Sequence, residues 1–162
     1  MDWSVNNSSI SKLVLLVHRL GHLVVSGSVP VLLAPPLWAL YRFLDLVWMK
    51  LLAGAEIPHD ACIGPGLLLA HGARGVVIGN RVVIGEQVSI YHQVSIGGVD
   101  TEPGIAEIPV PIIADRVRVG TGARVLGNIR IGEGAMIGAG AVVVTDVPAG
   151  KTAAGNPGRI LY

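Results

Sequence analysis

Two histidines near the middle of the chain have sequence surroundings suited to proton transfer. His71 lies in the stretch Leu-Ala-His-Gly-Ala-Arg-Gly-Val-Val-Ile-Gly of residues 69–79, and His92 lies in Val-Ser-Ile-Tyr-His-Gln-Val-Ser-Ile-Gly-Gly of residues 88–98. Imidazole is the usual general base for activating a hydroxyl group. A histidine judged alone is more often a solvated surface residue, so the elements that position these two decide what chemistry they can do.

The positioning element is a six-residue repeat between positions 57 and 148. Its unit is an aliphatic residue, often followed by glycine, with a small or β-branched residue four places after the aliphatic. An α-helix does not tolerate so many glycines, and a period of six is typical of a β-solenoid, in which three units would form one triangular coil. Thirteen units predict about four coils, with these aliphatics stacked inward: Ile57, Ile63, Leu69, Ile78, Ile84, Ile90, Ile96, Ile113, Val119, Val125, Ile131, Ile137 and Val143.

The repeat is irregular directly after His71. The step from Leu69 to Ile78 takes nine residues instead of six, so three extra residues should bulge outward there. His92 has the same place in its own unit as His71, and three units per coil predict that both lie on one corner, one coil apart. His92 or Tyr91 could then hydrogen-bond to His71 or to a bound acceptor; the alternative is that His92 is an ordinary outward turn residue.

Residues 56–162 resemble the hexapeptide-repeat acyltransferases, and within them the serine acetyltransferase-like branch. The resemblance rests on the two stretches quoted above, on Gly-Ala-Arg-Val-Leu-Gly-Asn-Ile at 122–129, and on Val-Pro-Ala-Gly-Lys-Thr-Ala-Ala-Gly-Asn-Pro-Gly-Arg-Ile at 147–160. It implies a mainly β fold, a left-handed parallel β-helix, which is an exception to the usual right-handed crossover. It also implies a homotrimer that binds acetyl-CoA as cosubstrate between neighbouring subunits.

The resemblance also implies roles for individual residues. His71 matches the general base that takes the acceptor's hydroxyl proton as its oxygen attacks the thioester carbonyl, and we expect His92 to assist it. Backbone N–H groups at Gly97 and Gly98 could stabilise the oxyanion; the alternative is that these glycines only form a turn. The residues expected to contact CoA are Thr121 and Ala139 along the pantetheine arm and Lys151 and Arg159 at the phosphates.

Three positions depart from the serine acetyltransferase pattern. Ala70 replaces the Asp before the base, Val110-Pro111-Ile112-Ile113 replaces a His-Pro-Lys-Ile stretch, and Glu56 replaces a substrate-binding Asp. Because polar partners for free serine are lost, we expect a hydroxyl acceptor on a sugar, glycoconjugate or related metabolite, as in single-histidine sugar and polysaccharide O-acetyltransferases, with Glu56 and Tyr91 contacting it. The alternatives are serine O-acetylation and a non-catalytic hexapeptide scaffold.

Residues 1–54 lack the repeat and form a separate apolar segment before the solenoid of residues 55–162. A helix capped by Ser8 or Ser9 should end near Gly21, and a second should start at Pro36. Positions 23–41 carry no formal charge but contain three prolines. The segment could pack on the end of the solenoid or on a neighbouring subunit, and contact with a membrane surface stays open beside these.

An acidic, proline-rich insertion at 97–112 interrupts the solenoid, and we expect it to reach over a neighbouring subunit and wall the acceptor pocket, with Glu102 or Glu107 as polar contacts. The net charge of +1 argues against a nucleic-acid partner, and the one cysteine excludes an internal disulfide. With 51% hydrophobic residues the chain should be an oligomer. No metal site is expected, His59 is expected on the surface, and the absence of a signal-peptide pattern leads us to expect a cytoplasmic location.

Overall fold

The computed structural model describes residues 8–99 and 108–161. Helix α1 spans Ser9–Val25 and helix α2 spans Ala34–Leu44, which runs on into a π-helical segment, Asp45–Ala53. A short 3-10 segment occupies Ala70–Ala73. Strands follow at β1 Cys62–Ile63, β2 Leu68–Leu69, β3 Val77–Ile78, β4 Val83–Ile84, β5 Ser89–Ile90, β6 Ser95–Gly97, β7 Ile112–Ile113, β8 Arg118–Val119, β9 Arg124–Leu126, β10 Arg130–Ile131, β11 Met136–Ile137, β12 Val142–Val143, β13 Thr152–Ala154 and β14 Arg159–Leu161.

The strands form three parallel sheets, and successive strands move from one sheet to the next. Sheet 1 has the order β1-β4-β7-β10, sheet 2 the order β2-β5-β8-β11-β13-β14, and sheet 3 the order β3-β6-β9-β12. Only β13 and β14 pair antiparallel among these strands. Three strands therefore make one coil of a triangular solenoid, as the six-residue repeat predicts.

The core is the stack of repeating aliphatics inside this triangle. All thirteen predicted inward residues are buried, and so are the small residues four places after them, such as Ala61, Ala123 and Ala135. Parallel pairing holds equivalent residues in register, so Ile84 faces Ile113 in the next coil. Burial of each such side chain contributes roughly 1.5–3 kcal/mol, which makes the repeat itself the main source of stability.

Helix α1 begins where the sequence predicts and is tied to the first coil. The Ser8 hydroxyl accepts a hydrogen bond from the Ser11 amide at 3.2 Å, so Ser8 is the N-cap. The Ser11 hydroxyl in turn donates to the Leu69 carbonyl at 2.7 Å in a buried contact. The Arg19 guanidinium donates to the carbonyls of Ile63 and Gly64. The N-terminal segment is thereby packed on the end of the solenoid.

Three details of the helices differ from expectation. α2 begins at Ala34, two residues before the predicted start at Pro36. α1 does not end near Gly21 but continues to Val25. The Tyr41 ring packs directly on Gly21, where a Cβ would be 2.5 Å from Tyr41 Cε2, so glycine here allows a close helix contact and does not end the helix. The π-helical segment shifts the phase of the second helix, so that Met49 is buried and Leu51, predicted on the same side as Tyr41, is 71% exposed.

His59 is not the free surface residue that the sequence suggests. Its ring packs edge-on against Trp38 with 5.3 Å between ring centroids, and it also contacts Tyr41 at 5.9 Å. Its carbonyl lies 3.0 Å from Nδ1 of His22. The reason is that α2 covers this corner of the first coil. Within the described residues, no helix combines the length and the apolarity needed to cross a membrane.

His18 is buried in the same interface and is only 1% exposed. Neither ring nitrogen makes a hydrogen bond of ordinary geometry in the described part of the chain. The pKa of His18 is lowered from 6.5 to about 4, mainly because burial disfavours the charged imidazole. The neighbouring Arg19, His22 and His59 act in the same direction, and the Pro58 carbonyl opposes them in part. His18 is therefore a neutral imidazole at physiological pH.

Candidate active site

One corner of the solenoid collects four of the residues predicted to act in catalysis or CoA binding. In sheet 2, Leu69 pairs with Ile90, Ile90 with Val119, and Val119 with Ile137. The residues two places after these four stand one above another where sheet 2 turns into sheet 3. We call this column the histidine corner; it consists of His71, His92, Thr121 and Ala139. The predicted placement of both histidines on one corner, one coil apart, is confirmed.

The two imidazoles of the histidine corner are in direct contact. Their ring centroids are 4.9 Å apart and their planes are perpendicular, so the edge of one ring meets the face of the other. The Tyr91 ring lies 6.2 Å from His71. His71 and Tyr91 are exposed and His92 is half-buried. The base predicted from the sequence is thus accessible to solvent and is flanked by the two side chains proposed to assist it.

His92 has an unsatisfied polar atom beside this contact. Its Nδ1 is buried and has no hydrogen-bond partner among residues 8–99 and 108–161. A buried nitrogen without a partner costs about 1–3 kcal/mol. A hydroxyl, amide or phosphate group that reaches this nitrogen would recover that energy, so the atom is a candidate contact for a substrate or for a neighbouring subunit.

The backbone at His71 is unusual and rests on α1. His71, Gly72 and Ala73 all have positive φ, at 55°, 77° and 59°. For a residue with a Cβ this conformation costs about 1–2 kcal/mol. Gly72 and Ala73 are buried, and Gly72 lies against Ile10 of α1. The extra residues therefore do not simply bulge into solvent as predicted, because α1 covers the first part of the insertion and holds the strained turn that presents His71.

This support was missed by the sequence analysis. Ser11, which bonds the carbonyl just before the turn, is 58 positions away from Leu69 in the chain. A buried serine inside an apolar helix is a weak signal, and nothing in its spacing points to the solenoid. Ala70, half-buried next to His71, offers no hydrogen-bond acceptor in its side chain. Among the described residues, the rings of His92 and Tyr91 lie beside the His71 ring.

The glycine pair lies at the other end of sheet 3. Gly97 ends β6, and Gly98 follows it at the point where the insertion leaves the solenoid. Five residues of extended chain separate Gly97 from His92, on the order of 15 Å. A Cβ at Gly98 would be 2.7 Å from the Pro109 carbonyl oxygen and would clash with Ile108. Within one chain, Gly98 thus allows the two ends of the insertion to meet and does not approach His71.

The two predicted phosphate contacts lie on opposite ends of strand β13. Arg159 pairs with Ala154 at the end where sheet 2 approaches the histidine corner. Lys151 precedes Thr152 at the far end of the same strand. Both residues are exposed. Arg159 is consequently the better placed of the two to meet a ligand that extends along the column from His71 past Ala139.

The remaining predicted residues border the same faces. Glu56 forms an isolated bridge with Val77 on sheet 3 and is exposed. The Arg81 guanidinium donates to the Ile108 carbonyl at 3.3 Å, which ties down the returning end of the insertion. Glu102 and Glu107 lie outside the described residues. Among the residues that the structure describes, no group of three His, Cys, Asp or Glu side chains could hold a metal ion.

Comparison with known proteins finds a matching family model and several relatives. Residues 111–145 match the family model described as bacterial transferase hexapeptide (six repeats). The serine acetyltransferase of Synechococcus elongatus is 40% identical to the chain over 148 residues, which is 91% of this chain and 55% of that protein. The serine acetyltransferase of Escherichia coli strain K12 is 46% identical over 106 residues, or 65% of this chain and 37% of that protein.

Solved structures of the same class are similar over nearly the whole chain. Soybean serine acetyltransferase complexed with serine has a TM-score of 0.73 and 41% identity, covering 90% of this chain and 54% of that one. The Brucella abortus serine acetyltransferase in complex with coenzyme A has a TM-score of 0.76 and 32% identity, covering 91% and 54%. The solenoid is therefore a left-handed β-helix. The chain spans about half the length of these proteins.

Proposed function

We propose that this chain is an acyl-CoA-dependent O-acyltransferase that moves an acetyl group from acetyl-CoA to a hydroxyl, with His71 as general base. The observation that carries the proposal is the exposed imidazole of His71, held edge-on against His92 on a corner of a hexapeptide solenoid. The similarity to proteins solved with serine and with coenzyme A supports the same reaction class.

In the proposed reaction, His71 removes the proton from the acceptor hydroxyl as that oxygen attacks the thioester carbonyl. The tetrahedral intermediate then expels the CoA sulfur, which takes the proton back from the imidazolium of His71. The products are the acetyl ester and free CoA, so no covalent enzyme intermediate is needed. His92 and Tyr91 orient the His71 ring, because their rings are its aromatic contacts.

The acceptor that the comparisons favour is L-serine. The relatives described above are serine acetyltransferases, and none of those comparisons supports the sugar acceptor expected from the sequence. A second candidate, a different small hydroxyl compound, is favoured by one set of observations. Ala70 has no polar side-chain atom beside His71, Val110 stands in place of a second histidine, and Glu56 is longer than the aspartate that the resemblance implies.

We also propose that the active site forms between subunits of a homotrimer. In one chain the histidine corner and the Gly97–Gly98 turn lie at opposite ends of sheet 3, so a single chain does not place an oxyanion donor at Gly98 beside His71. A neighbouring subunit that presents its own turn to this corner would complete the site. The insertion that begins at Gly98 would then wall the acceptor pocket of the neighbour.

Thiol release from acetyl-CoA, measured with L-serine, simple sugars and nucleotide sugars, tests the proposal. His71→Asn is the informative variant, because asparagine tolerates positive φ but cannot act as a base at neutral pH. We expect kcat to fall on the order of a hundredfold or more with unchanged thermal stability. His71→Ala should lose as much activity, and the additional backbone strain should appear only in its stability.

Three outcomes separate the candidates. Turnover of L-serine supports serine O-acetylation, and turnover of a sugar without turnover of serine supports the second acceptor. If no compound reacts and acetyl-CoA does not bind in calorimetry, the chain is a non-catalytic scaffold. Full activity of His71→Asn would refute the role of His71 in either reaction.

A further inference from the structure

The N-terminal segment has an apolar surface that no described residue covers. Between α1 and α2 the chain turns through Val31 and Leu32, which are 89% and 88% exposed. Leu33, Leu40 and Phe43 are also exposed large hydrophobic residues. We call these five residues the apolar tip. Isolated exposed hydrophobics are common, but a contiguous group of them marks an interaction surface.

The apolar tip faces away from the solenoid. Leu33, the N-cap of α2, is followed by Leu40 and Phe43 at steps of seven and three residues, which places all three on one side of the helix. The opposite side of α2 carries Trp38 and Tyr41, whose rings contact His59 on the first coil. Packing of α2 on the solenoid therefore leaves this side of the helix, together with the turn at Val31 and Leu32, as the outermost part of the segment.

The exposed charges of α2 and of the π-helical segment after it have one sign. In residues 8–55 the only acidic residue is Asp45, which is buried at 8% exposure. Arg42, on α2 next to Phe43, is exposed, and Lys50 is exposed although its amine lies 3.8 Å from Asp45. The exposed charged groups that accompany the apolar tip on the second helix are thus basic.

An apolar surface accompanied by basic residues favours an anionic lipid surface as the partner. A second copy of the chain docked through the same surface would bring Arg42 and Lys50 toward their own equivalents, with no exposed carboxylate from residues 8–55 to pair with them. The surface of an anionic bilayer offers an apolar interior for the tip and negative headgroups for the cations. Binding of such surfaces grows with the apolar area buried and with the attraction of basic residues to anionic lipid.

We propose that the apolar tip docks the protein on an anionic lipid surface, with Val31 and Leu32 inserted at the headgroup boundary and Arg42 and Lys50 contacting the headgroups. The aliphatic stem of each cation can lie along apolar surface while its charge stays at the headgroup level. This inference does not depend on the proposed acyltransferase activity, because none of these residues belongs to the histidine corner. The solenoid would stand off the membrane with the histidine corner open to solvent.

Sedimentation of the full chain with vesicles tests the proposal. Vesicles of phosphatidylcholine with about 30% phosphatidylglycerol should pellet the protein, vesicles of phosphatidylcholine alone should pellet it less, and raising the salt to about 0.5 M should weaken binding to the anionic vesicles. Val31→Ser with Leu32→Ser should reduce the partition coefficient at least about tenfold. Val144→Ser, an exposed apolar residue of the last coils, is the matched control and should bind like the wild type.

A separate variant tests the contribution of the basic residues to vesicle binding. Arg42→Gln with Lys50→Gln should reduce binding to the anionic vesicles and leave the weaker binding to neutral vesicles unchanged. Because Val31 and Leu32 are almost fully exposed, their serine variants should keep the wild-type thermal midpoint, which excludes misfolding as the cause of lost binding.

Two results would overturn the inference. One is a wild-type protein that pellets with neither vesicle, or serine variants that pellet as well as the wild type. The other is an oligomer that becomes smaller on gel filtration when Val31 and Leu32 are replaced, in a protein that does not bind vesicles. That result would mean that a second copy of the chain covers the apolar tip.

Discussion

Acid should weaken this fold through one buried side chain, His18. The pKa of His18 is lowered by burial from 6.5 to about 4 in the folded chain. Between these two values the unfolded chain binds a proton that the folded chain does not. Stability is therefore complete above pH 6.5, falls as the pH is lowered, and stops falling from this source below about pH 4.

The loss of stability follows from the difference between the pKa values of His18 in the unfolded and the folded chain. Each pKa unit corresponds to about 1.4 kcal/mol, so a separation of roughly two and a half units is worth about 3 kcal/mol in total. About 2 kcal/mol of that should already be lost at pH 5. This is a large part of the stability of a small domain, which is typically about 5–15 kcal/mol.

Urea unfolding of the wild type and of His18→Leu, followed by circular dichroism from pH 7.5 to pH 4, measures the effect. Leucine cannot take up a proton, so the difference in unfolding free energy between the two proteins should change by about 3 kcal/mol over this range. Val143→Ala, a buried change in the last coils, should lower stability by a similar amount at every pH. Parallel pH curves for wild type and His18→Leu would refute the assignment.

Two further predictions concern the solenoid and its cap. Ile131→Ala should lower the free energy of urea unfolding by about 2–5 kcal/mol, because it opens a cavity in the aliphatic stack. Ile112→Ala, on the exposed side of a neighbouring strand, should lower it by less than about 1 kcal/mol. Equal losses for the two variants would contradict the inward stacking. Arg19→Gln should lower the free energy of urea unfolding by about 1–3 kcal/mol, because it removes hydrogen bonds from a charged group to the carbonyls at 63–64. Arg42 is exposed, so Arg42→Gln should remain within about 0.5 kcal/mol of the wild type in the same measurement.

The fold of the periodic part of the molecule could be predicted from the sequence. A ladder of parallel strands pairs each residue with the one at the equivalent place a coil later, so a six-residue repeat predicts both the buried stack and the alignment of His71 with His92. The same alignment places Thr121 above them. The position of Arg159 could not be read in this way, because β14 leaves the repeat and turns back antiparallel to β13.

The contacts of the N-terminal helical segment could not be predicted from the sequence in this way. Helix propensity and the capping serine predict α1, and Gly21 predicts an end near that position. In the structure Gly21 is instead the place where the Tyr41 ring packs closely on a helix that continues to Val25. The sequence predicts a surface position for His59, but α2 covers this residue in the structure. Neither contact has a period or a fixed spacing in the sequence.

The sequence by itself therefore determined the solenoid, its inward residues and the column that presents His71, because hydrogen-bonded coils convert sequence spacing directly into spatial neighbours. Tertiary structure alone decided how that column is supported and what surrounds it: Ser11 holding the strand before the strained turn, His18 of α1 losing its charge in the interface with the first coil, and the apolar tip left facing outward. These depend on contacts between residues far apart in the chain, whose energies come from shape and burial and leave no regular pattern in the order of residues.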